Sequence, residues 1–287
     1  MSDSILQLAL PKGHMFDGVA ALLAEAGIPL RHSPRGYRPT VGLAGVEAKI
    51  LKPQNVVEML HAGSRDVGFA GADWVAELGA SCVEVLDLGL DPVKLVAAAP
   101  RDMLVDGALP ARPLVVASEY AHITKRWIAA QGLDAQFVQS YGATEVFPPE
   151  DADCIVDNTA TGSTLRANGL AIVDTLMHSS TRLYASPRAL EDTTRRGRIE
   201  DLALLLRSVV VARSRVMVEV NIDADRLARL VGVLPCMREP TVSPLAGGSG
   251  YAVKAAVPRS ELPAVILQLK ALGGTDLVVT SPSQIVP

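Results

Sequence analysis

A chain of 287 residues, 49% hydrophobic and 20% charged with a net charge of −4, has room for two or three domains and a large core. Mild acidity argues against nucleic acid as the main partner, since the densest basic stretch, Arg195-Arg196-Gly197-Arg198, reads as a solvated helix face. No run nears ~18 uninterrupted apolar residues and the opening Met-Ser-Asp-Ser lacks a basic lead, so neither a membrane span nor a secretion signal is expected. Cys82, Cys154 and Cys236 are far apart without metal spacing and read as small core residues of a reducing, cytoplasmic protein.

Ile5 to Leu10 reads as a strand, followed by Pro11-Lys12-Gly13-His14 and a helix carrying Phe16, Val19, Leu22 and Leu23. Lys12 then lies just past a strand's carboxyl end, where α/β sheets bind ligands, and a lysine there meets phosphate as a point charge. A plain surface lysine is the alternative, and His14 reads as a bystander. The basic segment with Arg31, Arg35, Arg38, Lys49 and Lys52 leads to Pro53, which suits a first helical turn. Asp66 to Gly71 reads as a strand and Ala72 to Glu77 as a helix start, with Asp73 favoured by the positive amino-terminal dipole. Val83–Leu88, Val93–Ala99, Leu114–Ser118, Ala171–Val173 and Arg182–Ala185 read as separate strands, and Pro187 to Ser214 as mostly helix.

The most informative stretch runs from Asp153 to Leu170. Cys154-Ile155-Val156 is an apolar strand, Asp157 stands at its end, and Thr159-Ala160-Thr161-Gly162-Ser163-Thr164 is a small, hydroxylated loop before a helix. Strand, small-residue loop and helix start together form an anion site, because backbone N–H groups converge there. The plainer reading is an ordinary turn rich in Ser and Thr. The order resembles the 5-phosphoribosyl-1-pyrophosphate (PRPP) loop of phosphoribosyltransferases, in which acidic residues meet the ribose hydroxyls and the Thr-Gly-x-Thr loop holds the 5-phosphate. The type I pattern has two adjacent acids; here the second is Asn158.

After about residue 213 the chain follows the order βαββαβ, the ferredoxin-like arrangement. The two preceding α/β units resemble the type II periplasmic-binding-protein fold. The expected divisions are 1–99 with 181–212, then 100–180 with the loop, then 213–287 as a small, ACT-like sensor or oligomerisation module.

The whole chain closely resembles the long form of ATP phosphoribosyltransferase of histidine biosynthesis. The resemblance rests on Ala9-Leu10-Pro11-Lys12-Gly13, Leu51-Lys52-Pro53-Gln54, Asp66 to Asp73, Gly142-Ala143-Thr144-Glu145, Asp153 to Leu170, Glu239 to Leu245 and Leu269 to Gly274. It implies attack of the ATP adenine N1 on ribose C1 of PRPP, with magnesium, giving phosphoribosyl-ATP and pyrophosphate under histidine inhibition. It implies PRPP contacts at Asp153, Asp157, Thr159, Ala160, Thr161, Gly162, Ser163 and Thr164, with Asp157 also in the metal shell. ATP would meet Lys12, Lys52 and Glu145. Histidine would meet Glu219, Thr241, Ser243 and Leu245, and the assembly would range from dimer to hexamer. His14 stands where the family often has Arg, and the sequence does not say which of Arg31, Arg35 and Arg38 meets substrate. No Ser-His-Asp or Cys-His constellation is found, which suits a reaction run by positioning and charge rather than acid–base side chains. The rivals are a solute-binding protein of similar fold and an idle regulatory subunit.

Overall fold

A computed structural model describes residues 5–33 and 36–286, which form two compact units, 1–203 and 204–287. In chain order the first unit contains β1 (Leu6–Pro11), α1 (His14–Glu25), β2 (Leu30–Arg31), β3 (Thr40–Val41), β4 (Val46–Leu51), α2 (Pro53–His61), β5 (Val67–Gly71) and α3 (Ala72–Leu78). It continues with β6 (Val83–Pro100), β7 (Leu114–Ser118), α4 (Ala121–Gln131), β8 (Ala135–Gln139), β9 (Cys154–Thr159), α5 (Ser163–Ala167), β10 (Leu170–Ala185) and α6 (Pro187–Glu191). The division between units falls inside α7 (Thr193–Arg213), earlier than the composition change near 213.

One eight-stranded sheet, ordered β4-β1-β5-β10-β6-β9-β7-β8, runs through the first unit. The triads β4-β1-β5 and β9-β7-β8 are parallel, and the long antiparallel pair β10/β6 joins them. The two expected α/β units are therefore continuous through shared strands. The sequence reads β6 as two strands because Gly89 (φ 62°) and Asp91 (φ 47°) turn the backbone left-handed between Leu88 and Val93. The ladder survives this kink with register shifts, as bulged strands do. β10 reads as two strands because Asp174, Thr175 and His178 to Ser180 interrupt its apolar pattern.

The registers orient the sheet. β5 ends at Gly71 opposite Thr181 of β10. β9 ends at Thr159 opposite Lys94 of β6, which itself pairs with His178 of β10. The carboxyl ends of both triads thus meet the long pair within three residues of β10, roughly 10 Å at strand rise. Ligand sites of α/β sheets lie at such carboxyl-end junctions. β9 is buried on both faces: Cys154 and Val156 pack with Val116, Tyr120 and Trp127, while Ile155 packs with Ala117, Leu165 and Leu170. That two-sided burial explains its unbroken apolar run.

The second unit contains β11 (Arg215–Asp223), α8 (Leu227–Val231), β12 (Thr241–Pro244), β13 (Gly250–Pro258), α9 (Leu262–Ala271) and β14 (Thr275–Thr280). Its sheet order β12-β13-β11-β14, with every pairing antiparallel, is the ferredoxin-like arrangement. Val216, Val218, Val220 and Ile222 alternate into its core with Leu230, Val265 and Leu269. Met217, Glu219 and Asn221 occupy the opposite face.

Candidate active site

The loop after β9 closes on itself. Gly162 adopts φ 72° and precedes α5, a left-handed turn that glycine takes without Cβ strain. Thr159 Oγ1 accepts from Gly162 N at 2.9 Å, and Thr161 Oγ1 donates to Ser163 Oγ at 3.0 Å. Arg166 Nη1 reaches back to Thr161 O at 3.0 Å. The hydroxyls and the first N–H groups of α5 surround a cavity of about 330 Å³. Val93, Glu145, Asp157, Asn158, Thr159, Ala160, Thr161, Ser163 and Thr164 line it. Six of the eight residues assigned to PRPP are thus together, and Gly162 shapes the loop they share.

Asp153 is not with them. It precedes β9 at the opposite end, where Arg112 Nη2 donates to its Oδ1 and Val115 N to its Oδ2, each at 2.7 Å. Four residues of strand, roughly 13 Å, separate it from Asp157. Asp153 braces β7 against β9 and is removed from the substrate set. Burial pushes its carboxyl up, but the hydrogen bonds and charge of Arg112 and the Val115 N–H hold it below the ordinary carboxylate range.

Asp157 behaves oppositely. Burial, outweighing the 2.7 Å hydrogen bond from Asn158 N, pushes its carboxyl up to about 6, with Glu145 and Glu119 adding repulsion. Glu145 lies in the short turn Thr144–Val146 and lines the cavity of the loop after β9 rather than grouping with Lys12 and Lys52. Those lysines follow β1 and β4, whose last residues Pro11 and Leu51 pair. They mark the other triad's carboxyl ends at the same junction. Lys12 Nζ stands 5.2 Å from the Tyr37 ring centre, beside a cavity of about 210 Å³ with Phe16 and His32. His14 faces Asp91 at 3.6 Å, Arg31 and Arg38 are exposed, and Arg35 lies outside the described residues. A wider cavity of about 400 Å³ opens at Trp127 and Asp174, but those two already satisfy each other at 2.8 Å.

Among the described residues no three His, Cys, Asp or Glu converge on a metal position. Asp157 and Glu145 offer hard carboxylate oxygens to the cavity. One or two carboxylates completed by substrate phosphates is the ligand set magnesium takes, so these residues fit such an ion.

In the second unit Glu219, Lys254 and Thr241 stand in one row across β11, β13 and β12. Glu219 accepts from Lys254 Nζ at 2.6 Å, so the carboxylate expected to meet histidine stands in a charge pair. A cavity of about 500 Å³ beside this row is lined by Met217, Cys236 to Glu239, Thr241 and Lys254. Ser243 and Leu245 do not line it. Sequence reading missed Lys254, Arg166 and Arg112. Strand register and a four-residue helical offset from Gly162 were the signals for the first two; nothing local marked the third.

The family model described as ATP phosphoribosyltransferase matches residues 52–208, and the model of the HisG C-terminal domain matches 212–282. An ATP phosphoribosyltransferase of Chlorobium luteolum is 37% identical over 281 residues, spanning 96% of both chains. One of Koribacter versatilis is 36% identical over 278 residues, 95% of this chain and 96% of that one. The structure of an ATP phosphoribosyl transferase (HisG:HisZ) complex from Thermotoga maritima aligns with TM-score 0.64 at 24% identity. It covers 71% of this chain and 98% of that chain, a likeness of fold.

Proposed function

The chain belongs to the ATP phosphoribosyltransferase family, and on that premise we propose how its cavity after β9 carries out the family's reaction. The enzyme is a pentosyltransferase of histidine biosynthesis. N1 of the ATP adenine attacks ribose C1 of PRPP, the bond from C1 to the pyrophosphate oxygen breaks, and pyrophosphate leaves. Adenine N1 attacks through its own lone pair, so no side chain must first remove a proton. The transition state is oxocarbenium-like, and the protein's work is holding two substrates in line and meeting charge.

The observation that carries this reading is the left-handed Gly162 turn with its ring of hydroxyls beside Asp157. Thr159 to Thr164 hold the 5-phosphate through backbone N–H groups and hydroxyls. Asp157 takes the ribose hydroxyls, whose hydrogen bonds favour the charge that burial opposes. Glu145 meets the nucleotide side of the cavity, and Lys12 and Lys52 meet phosphates from the other triad. Asp157, together with substrate phosphates, would hold a magnesium ion, which would supply positive charge opposite the pyrophosphate.

The ferredoxin-like unit is read as the histidine sensor. Its paired Glu219 and Lys254 suit a zwitterion, with Thr241 beside them. Exposed Val242, Val278 and Val279 support assembly from dimer to hexamer through this unit. Pyrophosphate release from ATP and PRPP with magnesium, measured with and without histidine, tests the whole reading. Release that ceases when either substrate is omitted and falls with histidine is expected. Absence of release by the folded protein overturns it and returns the solute-binding alternative.

A further inference from the structure

We propose that Asp73, Tyr120 and Asn158 form a directional hydrogen-bond relay that positions the PRPP end of the site, so that residue 158 must donate and cannot be an acid. The inference rests on the reading of the β9 loop as the PRPP site.

The three residues come from three carboxyl ends. Asp73 follows β5 in α3, Tyr120 follows β7, and Asn158 is next to last in β9. Ser179 Oγ donates to Asp73 Oδ1 at 2.7 Å, Tyr120 Oη donates to Asp73 Oδ2 at 2.6 Å, and Asn158 Nδ2 donates to Tyr120 Oη at 2.9 Å. Tyr120 and Asp73 are 1% and 5% exposed. The relay therefore crosses from one parallel triad to the other beneath the cavity.

Its polarity is fixed by counting protons. A carboxylate only accepts, and a phenol has one proton to give. Burial, then the charge of Asp73, pushes the Tyr120 phenol above its ordinary range and suppresses its ionisation, so it keeps that proton and commits it to Asp73 at 2.6 Å. Towards residue 158 the phenol oxygen shows only lone pairs. An amide nitrogen satisfies them; a carboxylate would face them unprotonated at the same distance. This accounts for the amide where the type I pattern has a second acid. Trp74 stacks on the Tyr120 ring with centres 4.7 Å apart. Glu77 accepts from His122 N and Ile123 N at 2.9 and 3.0 Å, which fixes the start of α4 directly after Tyr120. Holding Asn158 also fixes the strand end that carries Asp157 on one side and Thr159 on the other.

The test reverses the relay. In Asn158→Asp the new carboxylate is hydrated on its exposed side but finds no donor in Tyr120, and PRPP affinity should fall about 10-fold, the scale of a lost hydrogen bond. In Asp73→Asn one amide oxygen must serve two hydroxyls, with a smaller loss. In the double variant the amide at 73 donates to the phenol, the phenol donates to the acid at 158, and Ser179 keeps its acceptor. Calorimetric titration with PRPP should then show the double variant binding more tightly than Asn158→Asp alone. Losses that add, leaving the double variant as weak as or weaker than that single variant, overturn the relay, because independent sites add. Tyr120→Phe keeps the ring and its stacking. It should raise KM for PRPP roughly 2- to 10-fold with kcat held, and an unchanged KM overturns the proposal. Gly162→Val is the control: if it still binds PRPP as wild type does, the reading of the loop has failed, whatever the relay does.

Discussion

Arg112 and Asp153 join at 2.7 Å across β7 and β9, at the end of the strand away from the cavity. The carboxylate is also held by Val115 N. Asp153→Asn should therefore cost stability, about 1 kcal/mol for hydrogen bonds to a half-exposed pair, and leave KM for PRPP within about twofold. The sign with pH follows from the lowered carboxyl. Its stabilisation is present above the unfolded value near ~4 and is lost as pH falls through the folded value. Melting curves should separate wild type from variant at pH 7 and converge in acid. A large loss of PRPP affinity would return Asp153 to the site.

Asp157→Asn should trade function for stability. The folded carboxyl is raised to about 6, so the folded state prefers the protonated form. That preference is fully present below the unfolded value near ~4 and is lost as pH rises through about 6. At pH 8 in chelator, without substrate, the amide should melt higher than wild type by roughly 1–3 kcal/mol, with the gain gone by pH 4. The same variant should lose most of its activity, and shifting the pH should not restore it. A variant that is less stable at pH 8 than wild type would contradict the electrostatic reading of the cavity.

Glu219→Ala frees Lys254 and removes one half of the charge pair in the second unit. Inhibition by histidine should weaken by roughly 5- to 100-fold, within the usual range of allosteric coupling, while turnover without histidine stays unchanged. A histidine titration of the rate decides it: an unmoved inhibition curve removes Glu219 and Lys254 from the sensor.

Much of this was legible because the sequence agrees with itself at several levels. The 154–164 stretch carries an apolar strand, a glycine where φ is positive and a run of hydroxyls, and each feature is local. The ferredoxin-like order was likewise readable from alternation along β11 and β13. What failed to read is non-local. Asp153 and Asp157 look alike in sequence, yet one meets Arg112 from 41 residues away and the other meets Glu145. Asp73 looked like a favourable charge at a helix start, but it is 5% exposed and bonded to Tyr120 and Ser179, 47 and 106 residues on. β6 and β10 read as four strands because kinks and half-buried polar residues broke the alternation on which strand reading depends.

The Gly162 loop is expected to bind the 5-phosphate of PRPP. At φ 72° a β-branched residue is strained, and its Cβ would stand 3.0 Å from Arg166 Nη1, crowding the side chain that holds the loop. Calorimetric titration of PRPP with magnesium into wild type, Thr161→Ala and Gly162→Val measures this directly. Thr161→Ala should bind about 10- to 100-fold more weakly, as for a lost hydrogen bond to a charged group, and Gly162→Val should show no measurable binding while remaining folded. Wild-type affinity in both variants would contradict the claim.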